Sequence, residues 1–121
     1  MKTIMITGCA GFIGSHTVEN FLSAGYNVVG VDSMTYAASR ENMKSFINDI
    51  VFVEEDICNT KKIKEVIKEN NVSWIINFAA ETHVDNSIKN CSSFIHSNVN
   101  GVQSLLEACR ETDCSILQIS T

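Results

Sequence analysis

Residues Thr7–Gly14 read Thr-Gly-Cys-Ala-Gly-Phe-Ile-Gly, and they lie where a short apolar run gives way to a helical pattern. Before them, Ile4–Thr7 is short, β-branched and apolar, as a buried strand should be. After them, Ile13, Val18, Phe21 and Leu22 fall close to one face of a helix running from Phe12 to Ala24. Gly25 then offers a left-handed terminator. Each spaced glycine of the junction has a physical task. Gly8 permits the tight turn, Gly11 lets a diphosphate approach the backbone with no Cβ in the way, and Gly14 allows the helix to pack closely on the strand. The helix N-terminus presents free N–H groups and a partial positive charge to such an anion. The spacing is Gly-x-x-Gly-x-x-Gly rather than Gly-x-Gly-x-x-Gly, so the strand–turn–helix context carries the assignment.

The same alternation continues along the chain. Val28, Val29 and Val31 form a second strand, followed by a weaker helix from about Ser39 to Phe46. Ile50–Val53 reads as strand three. Asn59 or Thr60 can cap a helix whose buried stripe is Ile63, Val66 and Ile67. Val72–Phe78 is strand four. A longer helix from about Ser93 to Arg110 carries apolar residues at Val99, Val102, Leu105, Leu106 and Cys109, and Ser115–Ile119 is strand five. Near-continuous apolar strands alternating with helices predict an α/β fold with a parallel sheet covered on both faces. Right-handed crossovers order its strands 3-2-1-4-5, and the crevice between strands one and four is where a ligand would bind.

Composition sets limits on partners. The 121 residues suit one domain, and 45% apolar content suffices for a core without cross-links. A net charge of −5 disfavours nucleic acid as a partner. Lys61, Lys62, Lys64 and Lys68 interleave with apolar positions and read as a solvated helix face. Five cysteines, an odd number with no Cys-x-x-Cys, argue against a disulfide framework and against a metal site. No apolar run approaches the roughly 20 residues needed to cross a bilayer. No membrane partner is expected, and free thiols point to a cytoplasmic location.

Several polar residues fall at strand ends. A carboxylate at Asp32, closing strand two, can accept hydrogen bonds from an adenosine ribose and repel a 2′-phosphate, which favours NAD over NADP. Arg40, further on, could soften that preference. Asp56 and Ile57, after strand three, can hold the edge and face of an adenine. Strand four runs into Phe78-Ala79-Ala80-Glu81-Thr82-His83-Val84-Asp85, where small residues can lie against a bound ribose and diphosphate. His83 invites a general-base role because imidazole titrates near neutrality, but a loop-stabilising hydrogen bond is the commoner use. His16 and His96 read as structural or solvent-facing. Glu81 and Asp85 lack the defined geometry of an acid/base pair.

With these pieces placed, the sequence resembles the extended short-chain dehydrogenase/reductase superfamily along its whole length. It is most similar to dTDP-glucose and UDP-sugar 4,6-dehydratases. The likeness is carried by Thr7–His16, Val31–Ala37, Asp56-Ile57-Cys58, Phe78–Ser87, Ser97–Gly101 and Ile119–Thr121. It implies a Rossmann-like NAD-binding domain over residues 1–121, truncated after strand five, without the C-terminal sugar-nucleotide-binding part. It implies Gly8, Gly11, Phe12, Ile13 and Gly14 at the pyrophosphate, and Asp32, Ser33, Met34 and Thr35 around the adenosine ribose. Asp56 and Ile57 would meet the adenine. Phe78, Ala79, Ala80, Glu81, Thr82 and Ser97 would meet the rest of the cofactor. Thr82 and Thr121 would touch the sugar of a nucleotide-sugar substrate, with Thr121 positioning it for catalysis.

Such enzymes take a hydride from C4 of the hexose, lose water across C5–C6 and return the hydride to C6. Their Asp-Glu pair and Tyr-x-x-x-Lys would follow Thr121, so these residues are expected to be inactive alone. Strand five would be an exposed edge, and exposed Leu105 or Leu106 would favour self-association through the helix near Val99–Cys109. A separately encoded C-terminal half is the alternative partner. Other readings are a stand-alone NAD-binding module, a decayed remnant, and part of a UDP-sugar 4-epimerase or decarboxylase.

Overall fold

A computed structural model describes residues 2–34, 40–79 and 99–119. The elements run β1 (Thr3–Thr7), α1 (Phe12–Ser23), β2 (Asn27–Asp32), α2 (Arg40–Met43), a 3₁₀ turn (Ile47–Asp49), β3 (Val51–Glu54), α3 (Thr60–Asn70), β4 (Val72–Asn77), α4 (Gly101–Thr112) and β5 (Ser115–Gln118). The five strands form one sheet in the order β3-β2-β1-β4-β5, every pairing parallel. This is the α/β arrangement expected from the sequence. β1 lies at the centre, and the chain switches direction across the sheet between β1 and β4.

Strand side chains alternate between the two faces, and both faces are covered. Ile4, Ile6, Val28 and Ile76 pack with Val18, Met43 and Phe46 on the α1 side. Met5, Val29, Val31 and Ile75 pack with Ile63, Val66, Ile67, Leu105 and Ala108 on the α3–α4 side. A strand buried on both faces needs apolar residues at consecutive positions, and this explains the valine and isoleucine runs. Each fully buried aliphatic side chain contributes on the order of 1.5–3 kcal/mol.

Helix ends follow local chemistry. Asn59 caps α3 by accepting from the Lys62 amide at 3.3 Å, and Asn71 ends it in the left-handed region at φ 52°. Gly25 follows α1 with φ 92°. The Lys64–Glu111 ion pair ties α3 to α4 at the surface.

Several of the expected bounds and placements are refined or corrected by the structure. The second helix does not run from Ser39 to Phe46. Its helical turn stops at Met43, and Phe46 and Asp49 donate to the carbonyls three residues back at 3.0 and 2.8 Å. Three-residue steps put Met43 and Phe46 on one side, and both are buried. β3 begins and ends one residue later than expected. Ile13 is not on the buried stripe of α1, being 63% exposed. The buried positions are Gly14, Ser15 and Val18: Gly14 crosses the turn where a Cβ would meet the Gly8 oxygen, and Val18 packs in the core on the α1 side. Leu105 is core, whereas Leu106 is exposed. Residues 93–98 of the expected long helix lie outside the described residues. α4 continues through Thr112.

Candidate functional site

The junction between β1 and α1 is held from three directions. From the β2 side, the Val31 carbonyl accepts the Gly8 amide at 2.7 Å. On the other side, Phe78 donates to the Thr7 carbonyl at 3.1 Å, so the end of β4 lies directly behind the turn. From above, the Ala10 peptide is held at both ends. Its N–H donates to Asp32 Oδ2 and its carbonyl accepts from Asn42 Nδ2, each at 3.0 Å. Asp32 Oδ1 also accepts the Met34 amide at 2.7 Å, which holds Met34 at φ 60°. Asp32 is thus a buried brace for the turn as well as the last residue of β2. Each of its oxygens keeps a further lone pair for an outside donor.

The glycines now separate into two kinds. Gly8 has φ 72°, and an added Cβ would lie 2.8 Å from the Phe78 carbonyl carbon. A Cβ on Gly14 would lie 2.1 Å from the Gly8 oxygen. The protein's own packing demands both. Gly11 is different: its Cβ would meet only the Gly8 oxygen, at an ordinary 3.4 Å, and its φ is −77°. Nothing among the described residues excludes a side chain there.

Gly11 is also the N-cap of α1 and provides no side-chain cap, and the first turn of α1 holds no acidic residue. The opening N–H groups of a helix have no intrahelical acceptors, so they face outward carrying partial positive charge. Phe12 and Ile13 flank this opening, 72% and 63% exposed. His16, exposed on the same helix, donates from Nδ1 to the Phe12 carbonyl at 2.8 Å and lies against the Phe12 ring. Cys9 packs beneath the turn. Burial, aided by the Asp32 charge, pushes its thiol up to about 12, so it stays neutral and is no nucleophile.

A polar bracket that sequence reasoning missed lies at the ends of the central strands. Thr7 Oγ1 donates to Asn77 Oδ1, which also accepts the Ala79 amide at 3.1 Å. Asn77 Nδ2 donates to Gln118 Oε1 at 2.7 Å. β1, β4 and β5 are thereby fastened at the edge where the glycine turn emerges. Thr7 and Asn77 are fully buried, and a threonine and an asparagine closing apolar strands were the available signal. Asn77→Leu should lower stability by about 3 kcal/mol, because it strands the Thr7 hydroxyl and the Ala79 amide. The midpoint of urea unfolding reads this directly.

Asp56 follows β3, and its Oδ1 accepts the Cys58 amide at 2.9 Å. The Ile57 side chain is buried in the α3–α4 core. Ser33 is exposed beside Met34. Arg40 pairs with Glu54 at 2.8 Å. Thr35, Ala80, Glu81, Thr82, His83, Asp85, His96, Ser97 and Thr121 lie outside the described residues. A hollow of about 410 Å³ sits at the opposite end of the sheet, lined by Asn27, Asn48, Asp49 and Asn70 among others. It is remote from the glycine turn, and the exposed amides of α1 do not open into it.

The family model described as GDP-mannose 4,6 dehydratase matches residues 5–121. The chain belongs to that family. This dehydratase-family chain is 40% identical to a dTDP-glucose 4,6-dehydratase of Xanthomonas campestris, over 92% of its own length and 32% of the relative's. The dTDP-glucose 4,6-dehydratase of Bacillus anthracis, solved in complex with NAD, superposes with TM-score 0.87 at 36% identity, covering 100% of this chain and 38% of that one. The UDP-glucose-4-epimerase of Stenotrophomonas maltophila, with bound NAD and a formylated UDP-arabinopyranose, superposes with TM-score 0.93 at 26% identity over 100% and 37%. The likeness to dTDP-glucose 4,6-dehydratases and the Rossmann-like sheet, both expected from the sequence, are borne out. The chain spans about two-fifths or less of the length of the curated relatives it matches. Among the described residues no helix is long and apolar enough to cross a membrane.

Proposed function

We propose that these residues are the NAD-binding part of a nucleotide-sugar 4,6-dehydratase. The observation that carries the proposal is Gly11: an uncapped helix N-terminus is kept bare by a glycine that neither its φ nor a clash with the described residues requires. Asp32 stands beside this opening with lone pairs left for a ribose hydroxyl pair. When bound, NAD supplies reversible hydride acceptance at a sugar carbon. The chain's residues would bind and orient it. The amides after Gly11 take the diphosphate, Asp32 to Thr35 take the adenosine ribose, and Asp56 and Ile57 border the adenine. Phe78 to Thr82 and Ser97 face the remainder. Thr82 and Thr121 would meet a dTDP- or UDP-linked hexose.

A UDP-sugar 4-epimerase is the second reading, favoured by the TM-score of 0.93 to such an enzyme. It would use the same cofactor half. Leu106 on α4 and Val99, two residues before its first turn, are 51% and 58% exposed. With Val102 they form an apolar stripe suited to a second copy or to further chain. Calorimetric titration tests the cofactor assignment. ADP-ribose should bind about as well as NAD, because the adenosine and diphosphate contacts are on these residues. Failure of both to bind would sink the proposal.

A further inference from the structure

β2 and β3 run side by side, and their register pairs Gly30 with Phe52 and Asp32 with Glu54. Registered residues of neighbouring parallel strands point to the same face. Phe52 packs on the α1 side, and Glu54, two residues on, leaves the sheet on that side beside Asp32. The two residues are therefore neighbours across β2 and β3, about one strand spacing apart in the backbone, at the end of the sheet where the ribose is proposed to sit. Arg40 opens α2 on the same side, and its Nη2 donates to Glu54 Oε1 at 2.8 Å. The pair is solvent-exposed, with side chains 68% and 54% accessible, so it adds little to stability. Asp32, by contrast, accepts one amide on each oxygen, from Ala10 and Met34, and these donors offset part of its charge.

We infer that Glu54 is a second specificity-determining residue for the cofactor's adenosine ribose. It places a further negative charge where a 2′-phosphate would lie, and it holds the Arg40 guanidinium that would otherwise pair with that phosphate. Arg40 thus does not soften the preference for NAD while Glu54 is present. A phosphate monoester is a stronger partner for guanidinium than an exposed carboxylate, and so removing the carboxylate releases Arg40 to it. The inference rests on the proposed cofactor site.

The test titrates the 121-residue chain with NAD, NADP and ADP-ribose, using wild type, Glu54→Gln, Arg40→Ala and the double variant. Far-UV circular dichroism checks that each is folded. Glu54→Gln should lower the ratio of the NADP Kd to the NAD Kd by about tenfold, almost wholly through tighter NADP binding. Arg40→Ala alone should change the ratio by less than about twofold, since the guanidinium is already engaged. In the double variant most of the gain should vanish. An unchanged ratio in Glu54→Gln with NAD binding intact overturns the inference. So does a gain that survives whole without Arg40. Wild-type protein that binds neither NAD nor ADP-ribose overturns the cofactor site itself, a result seen before any substitution is made.

Discussion

Gly14→Ala is expected to cost roughly 3–5 kcal/mol, a large part of the margin by which a domain of this size stays folded. The new methyl would lie 2.1 Å from the Gly8 carbonyl oxygen. Relief requires either α1 or the turn to move. The turn cannot retreat, because Gly8 already rests against the Phe78 and Ala79 backbone, where even its own Cβ would stand 2.8 to 2.9 Å away. Nor can α1 lift without uncovering Val18 and the Ile4–Ile6 face of β1. Both partners in the clash are backbone, so no rotamer change absorbs it. Urea or thermal unfolding should show a sharply lowered midpoint. A variant with wild-type stability would mean that α1 does not cross the turn at this distance.

Gly11→Ala should have the opposite signature. Its methyl meets the Gly8 oxygen at 3.4 Å, and φ −77° suits any residue, so stability should change by no more than about 1 kcal/mol. NAD and ADP-ribose should nevertheless bind about 100-fold more weakly, because the methyl occupies the path by which a diphosphate reaches the amides of α1. Calorimetry of the folded variant separates this from unfolding. Adenosine, which has no diphosphate, should lose far less. If NAD affinity survives Gly11→Ala, the anion does not approach over this residue. The two glycines are three residues apart, and the pair of variants separates the packing task expected of Gly14 from the ligand task proposed for Gly11.

Legibility followed range. Periodicity located the five strands and the stripe Ile63, Val66 and Ile67, because burial on one face is written in residues three and four apart. The same method put Ile13 on the inner face of α1, where sterics at Gly14 overrule hydrophobicity. It extended the second helix to Phe46, where three-residue turns serve the core better than an α-helix. Asp32 was visible as the acid closing a strand. Its hold on the Ala10 amide was not, since a carboxylate at a strand end carries no mark of what it will brace.

The order of the elements and the strand–turn–helix junction are legible in the chain because each depends on residues close in sequence, and the parallel sheet follows from that order through right-handed crossovers. Tertiary structure alone decided that Thr7 meets Asn77, that Asn42 holds Ala10 and that Glu54 captures Arg40. Those partners lie 70, 32 and 14 residues apart. A shift of one residue in where β3 begins sets which side chain stands beside Asp32, and side-chain direction reverses at every step along a strand.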